Sequence, residues 1–288
     1  MKEDFEFYEE EFVDYLKNVR KCNERSIFGY VAKVRRFFKL YHILNEETVN
    51  EYYEWLTDGK KAQTINLYTR AMNVYIHFLE HKYSMQLDDL LGKQVIVKKV
   101  SFLEDIFTLE DYLFFMNKAK MRNKDKLYII SKIMATTGMR IHETLKIRRE
   151  HIEIGFIDFT GKGGKQRRCY FTPNTQKEVL DILDKHNLKN KTDYVISSSW
   201  NGKQLNWKQL RPIQRTMANF AENECEFEKG LFHPHAFRHF FAKNFIKKYQ
   251  NIALLADLLG HSNIETTRIY LKYTAKEQQE IVNQVVTW

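Results

Sequence analysis

Residues 258–274 read LLGHSNIETTRIYLKYT. A histidine at 261 and a tyrosine at 270 stand nine positions apart, across a break between two helical patterns, and Tyr273 follows three residues later. The preceding run NIALLADLLG (251–260) is amphipathic at the helical period. It ends on Gly260, a residue suited to the left-handed position beyond a helix end. Ser262, with Glu265 three residues on, makes a capping box for a new helix, so His261 is expected in a two-residue corner. At ~100° per residue, Ile264 and Leu271 share one face of that helix and Tyr270 points about 120° away. A core tyrosine would sit on the Ile264 face. The offset favours a chemical task for the Tyr270 hydroxyl, with ordinary packing as the competing reading.

Upstream, HPHAFRHFFAKNFIKK (233–248) places Pro234 at a first helical position. Phe237, Phe240, Phe241 and Phe245 form an apolar stripe. His235 and Arg238 lie about 60° apart and off that stripe, free to face a cleft together. A solvated basic face is the competing reading, and His239 reads as structural or supporting. The clustered histidines suggest zinc, but no cysteine pair or HExxH accompanies them and Arg238 would repel a cation, so no metal is expected. In ATTGMRIHETLKI (135–147), Gly138 makes a turn and Arg140 opens a helix with Glu143 on the same face. A plain surface ion pair is the alternative there.

Between these helices GFIDFTGKGGKQRRCYFTP (155–173) gives two short β runs around a glycine-rich turn. The turn lacks the spacing and the following Ser or Thr of a nucleotide-phosphate loop. Residues 1–92 carry four helical patterns with short joints, a small bundle. Asn45 is a plausible cap, and Lys33, Arg35, Arg36 and Lys39 flank the apolar stripe of the second helix. At GKQVIVKKVSFLE (92–104) the helical period disappears, and Lys93, Lys98 and Lys99 sit in a valine-rich stretch read as an extended linker over 93–104. A larger, mainly helical domain follows over 105–288 and ends in an amphipathic tail helix, 275–288.

With 43% hydrophobic and 14% aromatic residues, the 288-residue chain excludes a disordered protein. A net charge of +9 points to a polyanionic partner, with a solvated basic surface as the alternative. The charge lies in patches. Residues 1–92 hold 13 Lys+Arg against 16 Asp+Glu, yet Lys17 to Lys39 carries eight basic residues and one acid, Glu24. Three scattered cysteines fit a reduced, cytoplasmic protein without disulfides. The acidic N-terminus is no signal peptide, and no run approaches the ~18 apolar residues of a membrane span.

These residue types suit one chemistry. Two arginines can clamp a phosphodiester by paired charge-assisted hydrogen bonds. A lysine can protonate a leaving oxygen, a histidine can accept a proton, and a tyrosine can attack. Two arginines and a lysine could supply the positive charge that a divalent metal supplies elsewhere.

In that order, TGMR-IHE, the GKGGK hairpin, HAFRH, and LLGH followed nine residues later by tyrosine, the chain resembles the tyrosine recombinase (phage integrase) family. The motifs span 135–273; each is weak alone, and five in order are specific. The resemblance implies a mainly α fold with a small β-hairpin: a helical, SAM-like core-binding bundle and a catalytic domain of the DNA breaking-rejoining type, in the two-domain, Xer-like arrangement. It implies that Arg140 and Arg238 bind the scissile phosphate, with His261 as a further hydrogen-bond donor. Lys162 would protonate the 5′-hydroxyl, with Lys165 as runner-up. His235 would be general base for Tyr270, which forms a 3′-phosphotyrosine, and Glu143 would support the site. His142 and Phe237 stand where the family more often has Ser or Ala and Leu, which touches local packing alone.

The resemblance also implies double-stranded DNA as partner, no cofactor and no metal. It implies a monomer that assembles as a homo-tetramer on synapsed sites, the tail docking on a neighbour or on its own domain, with accessory proteins in some systems. The biological task would be integration and excision of a mobile element, inversion, or dimer resolution. A type IB-like topoisomerase is the alternative enzyme, distinguished by site-independent relaxation as a monomer. A catalytically silent DNA-binding protein is the alternative outside enzymes, and it leaves the full residue set unexplained.

Overall fold

The computed structural model describes residues 4–96, 106–160, 166–261, 263–268, 270 and 283. The chain divides into two compact units, Met1–Val100 and Ser101–Trp288, each with its own hydrophobic core.

The first unit contains α1 (Glu9–Asp14, continuing as a π-helical turn over Tyr15–Val19), α2 (Glu24–Tyr41), α3 (Glu46–Thr57) and α4 (Ala62–Tyr83). Asparagine starts α2 and α3: Asn23 accepts from Ser26 N at 2.9 Å and Asn45 from Thr48 N at 3.0 Å. Each cap satisfies a helical amide that has no partner within its helix. Val31, Val34, Phe37 and Phe38 recur at the helical spacing on α2 and are buried with Met72, Tyr75, Ile76 and Leu79 of α4. Aromatic edges fill the centre, with Phe12–Tyr75 and Phe37–Tyr52 ring centroids both 5.0 Å apart. Burying one such side chain contributes about 1.5–3 kcal/mol.

Three basic residues of α2 already have partners in this unit. Arg35 pairs with Glu9, Lys33 Nζ donates to Gly29 O at 3.0 Å, and the Arg36 guanidinium lies 5.2 Å from the Trp55 ring. Lys39 and Lys93 are exposed. An exposed pair such as Arg35–Glu9 contributes ~0–1 kcal/mol, so it leaves Arg35 exchangeable with a polyanion. Lys98, Lys99 and most of the expected 93–104 linker lie outside the described residues.

The second unit runs α5 (Leu109–Met121), α6 (Asp125–Thr137), α7 (Ile141–Thr144), α8 (Arg149–Ile154), β1 (Phe156–Thr160), β2 (Gln166–Tyr170) and α9 (Pro173–Lys185). It then continues through α10 (Leu210–Cys225), α11 (Pro234–Lys248), α12 (Ile252–Leu259) and α13 (Glu265–Arg268). Phe107, Phe232 and Phe115 stack in series at the centre of the main core, with Phe107–Phe232 centroids 4.3 Å apart, and Phe237 meets Phe115 and Phe232 edge-on. The two strands pair antiparallel, Ile157 opposite Cys169, and close towards a turn at Thr160–Gln166. The tip itself, with Lys162 and Lys165, lies outside the described residues. A separate small cluster joins α11 and α12: Ala242, Ile246, Leu255, Leu259 and Tyr270. Of the expected tail helix, Asn283 alone is described, in helical conformation. No helix among the described residues is long and apolar enough to cross a membrane.

Two expectations about faces need correction. Arg238 is not turned out into an open cleft; it is 5% exposed, buried along with Phe237 and Phe240. The 258–274 corner also differs. Ile264 is 44% exposed while Tyr270 is 8% exposed. The described helix α13 covers four residues, Glu265–Arg268, and Ile264 and Tyr270 both lie outside it. The Asn263 side chain accepts from Glu265 N at 2.9 Å, and the expected cap Ser262 lies outside the described residues, as do Leu271 and Tyr273.

Candidate active site

The end of α12 builds one wall. Gly260 takes φ +64°, Gly260 N donates to Asp257 O, and His261 N donates to Ala256 O at 3.0 Å. This is the Schellman termination, and it places His261 directly after the left-handed glycine. It leaves the last carbonyls of α12 without helical partners, and two arginines take them. Arg238 Nη2 donates to Leu259 O at 2.5 Å, and Arg167 Nη1 donates to Leu258 O at 2.9 Å. Arg238 Nη1 also donates to Gly138 O at 2.7 Å, just beyond the end of α6. Negative helix ends favour cations, so the carbonyls fix and partly compensate a buried charge. Gly138, at φ +65°, is required in this place: a Cβ there would collide with Phe241 and Leu259.

Arg238 Nη2 also lies 2.9 Å from His261 Nε2. A guanidinium can only donate, so Nε2 accepts and Nδ1 carries the ring proton, which it donates to Thr267 Oγ1 at 2.7 Å. Burial, then Arg238, Arg140 and Arg167 nearby, push His261 down to about 4. The ring is therefore neutral at pH 7. Burial and the fields of Arg140 and Arg167 push Arg238 down to about 10, and it stays cationic.

Arg140 stands at the start of α7 and is held by Glu143. The Glu143 carboxylate accepts from Arg140 N at 2.7 Å and from Arg140 Nη1 at 3.3 Å, and it pairs with Arg167 Nη2. Glu143 is 7% exposed, so this is no surface ion pair. Arg167, on β2, was missed in the sequence reading although a signal existed. Its strand alternates exposed and inward positions, and Arg167 shares the inward side with Cys169. An arginine at an inward strand position requires a buried acid or carbonyl partner, and it has both.

Tyr270 brings its hydroxyl to within 2.5 Å of His239 Nδ1. Burial pushes Tyr270 up to about 12, against the lowering effect of Arg238. The histidine at the Tyr270 hydroxyl is His239, one turn along α11 from His235. His235 stands exposed on the first turn of α11, where it lines an open cleft of about 700 Å³ with His233, Arg211 and Arg215. Among the described residues, no cluster of three or more His, Cys, Asp or Glu is arranged to hold a metal ion.

Three guanidinium groups, Arg140, Arg167 and Arg238, surround His261 here, with Glu143 paired to Arg140 and Arg167. Such an excess of fixed positive charge suits an anion, and a tyrosine hydroxyl with its own proton partner lies beside it. The class of chemistry is phosphoryl transfer to tyrosine. The phage integrase family profile matches residues 106–277, and the chain belongs to that family. Over its length the chain is 27% identical to a TnP I resolvase of Bacillus thuringiensis, covering 96% of this chain and 97% of that one. The fold matches a XerH site-specific recombinase bound to its difH substrate (TM-score 0.64, 18% identity, 96% of this chain and 83% of that one). It also matches a lambda integrase tetramer bound to a Holliday junction (TM-score 0.66, 15% identity, 92% and 78%).

Proposed function

We propose that the protein is a site-specific DNA recombinase that cuts and rejoins strands through a covalent 3′-phosphotyrosine at Tyr270. The observation that carries this is the buried Tyr270 hydroxyl, 2.5 Å from a histidine ring nitrogen, beside Arg238, which is anchored on helix-end carbonyls. Arg140 and Arg238 hold the scissile phosphate and stabilise the charge that grows on its oxygens. His261 joins them as donor once it gains a proton at Nε2, which an approaching phosphate favours. Glu143 orients Arg140. Lys162, or Lys165 in the same hairpin tip, protonates the 5′-oxygen as it leaves. The phosphotyrosine conserves the energy of the broken bond, so rejoining needs no nucleotide.

The partner is double-stranded DNA. Lys33, Arg36, Lys39 and Lys93 contribute backbone contacts on the first unit, and Arg35 joins them on leaving Glu9. A footprint of about 6–10 phosphates makes affinity fall ~10³–10⁵-fold from low to moderate salt. Four copies act on two synapsed sites; the lambda integrase tetramer on its junction supports this count. The free chain is a monomer, the segment 275–288 docks on a neighbouring protomer or on its own domain, and accessory proteins set the outcome in some settings.

The test is a nicked suicide duplex that traps the covalent adduct. Tyr270→Phe abolishes the adduct and Tyr273→Phe keeps it. Adducts persisting in Tyr270→Phe would overturn the assignment.

A further inference from the structure

The two strands of the hairpin pair with each other and, among the described residues, with no third strand. Their ladder fixes the hairpin's shape, so its place over the site depends on side-chain anchors and on the chain at its base. Alternate residues face inward. Ile157 and Cys169, opposite one another at the end away from the turn, are buried in the main core. The inward pair nearest the turn is Phe159 and Arg167, with the guanidinium 5.7 Å from the ring.

Arg167 carries the hairpin's contacts outward. Its Nη1 donates to Leu258 O at 2.9 Å and its Nη2 pairs with Glu143. Its stem lies against Gly260, where a Cβ would collide with it. One side chain thus ties β2 to α7 and to the end of α12, directly before His261. The neighbouring Arg168 behaves differently: it makes two bonds of 2.8 Å to Asp158 across the same hairpin and stays exposed. We infer that Arg167 is a positioning residue for protonation of the leaving group: it seats the hairpin so that the lysine of its tip reaches the 5′-oxygen of the phosphate held by Arg140 and Arg238. The inference rests on the recombinase reading above, in which Lys162 or Lys165 is that acid.

Chain connectivity links the anchor to the acid. Lys162 follows Thr160 by two residues and Lys165 precedes Arg167 by two, so the ends of the strands set where either can reach. Arginine suits the task because its rigid fork holds two partners at once, whereas a lysine ammonium is a point charge on a flexible stem. In the step itself, Tyr270 Oη bonds to phosphorus while the bond from phosphorus to the 5′-oxygen breaks. The tyrosine proton leaves to a histidine of α11, and the lysine's proton passes to the 5′-oxygen. An acid about 1 Å out of place loses ~10²-fold in rate.

The experiment uses two nicked duplexes, one with the ordinary 5′-oxygen and one with a 5′-bridging sulfur, which departs as a thiolate and needs no proton. The readout is the ratio of sulfur to oxygen rates in single-turnover adduct formation. A ratio from one preparation is independent of the fraction folded. A shift of Arg140 slows both substrates and cancels. The proteins compared are wild type, Arg167→Ala, Arg167→Lys, Arg168→Ala, Arg140→Ala, Lys162→Ala and Lys165→Ala. The ratio is expected to rise ~10²–10⁴-fold in the variant that lacks the acid and ~10²-fold in Arg167→Ala. Arg167→Lys, which keeps the charge without the fork, shows a smaller rise and carries the test if the alanine variant does not fold. Arg168→Ala and Arg140→Ala keep the wild-type ratio. A wild-type ratio in the Arg167 variants, or an equal rise in Arg140→Ala, overturns the inference, as does the absence of a rise in both lysine variants. Failure of the underlying reading looks different: wild type forms no adduct on either duplex, or Tyr270→Phe still forms one.

Discussion

The two halves of the site are built to different standards. On the arginine side, Arg238 reaches two helix-end carbonyls and His261, and Arg140 and Arg167 share the buried Glu143. On the tyrosine side, Tyr270 follows a four-residue helix, rests on a small satellite cluster, and has its hydroxyl on one histidine. Phosphate stabilisation depends on preorganised charge, because any reorganisation during the reaction would be subtracted from the catalytic effect. A nucleophile must approach, attack and later leave, and Tyr270 stands just beyond the short α13. The contrast predicts that damage to the arginine side appears as lost stability and lost rate together. Damage to the tyrosine side should appear chiefly in rate.

Arg167 gives the largest test of that contrast. Its side chain is 7% exposed and that of Glu143 is 9% exposed. Truncating one partner of such a buried pair leaves an uncompensated charge and costs about 3–5 kcal/mol. Arg167→Ala is therefore expected to lower stability to denaturant by that amount. Glu143, freed on one side, lets Arg140 shift, and a displacement near 1 Å slows cleavage by ~10²-fold. Combining Arg167→Met with Glu143→Gln removes both charges, and a double-mutant cycle should give a coupling of about 0.5–3 kcal/mol. Additive losses would mean that the pair contributes packing alone. Tyr270→Phe, the matching change on the other side, is expected to leave stability within about 1 kcal/mol of wild type.

The same contrast explains what was legible in the sequence. Helix starts and ends rest on local rules, so the Asn45 cap and the Gly260 termination followed from a few neighbouring residues. The order of the motifs pointed to the arginines, His261 and Tyr270 because each lies at a recognisable local signal. Arg167 was missed because its partners, Glu143 and the Leu258 carbonyl, are distant in the chain and meet it only through tertiary packing. The face of Tyr270 was misjudged for a related reason. Periodicity carried from Ile264 to Tyr270 reaches beyond the four residues of α13. The contact of His239 with the Tyr270 hydroxyl is likewise tertiary, and no local pattern on α11 announces it.

Thr267 joins the two halves and tests how separate they are. It is fully buried, accepts the His261 ring proton at 2.7 Å, and lies three residues before Tyr270. Thr267→Val preserves shape and leaves the His261 Nδ1–H without its acceptor. The expected cost is about 1–3 kcal/mol in stability. Cleavage should slow as well, because His261 loses the contact that fixes its tautomer. Thr267→Ser restores the acceptor and should recover the rate. Equal defects in both variants would show that the methyl group, and so packing, is what matters.

The smallest expected effect concerns pH and isolates the neutral member of the arginine side. His261 is held near 4, below its ordinary value of 6.5, by burial and then by Arg238, Arg140, Arg167 and His239. Below about pH 6.5 the unfolded chain takes up a proton at this residue that the folded chain refuses. The contribution is therefore complete above about 6.5 and is lost as pH falls towards about 4. Water screens the exposed part of the ring, so the loss amounts to about 1 kcal/mol, or ~2–4 °C in the thermal midpoint. His261→Gln removes this titration and should show a shallower decline between those limits, measured by thermal unfolding across the range. Parallel declines would mean that the ring is already protonated in the folded protein, with Arg238 turned away from Nε2. The arginine side would then lack a fixed arrangement at His261, and the difference between the two halves would disappear.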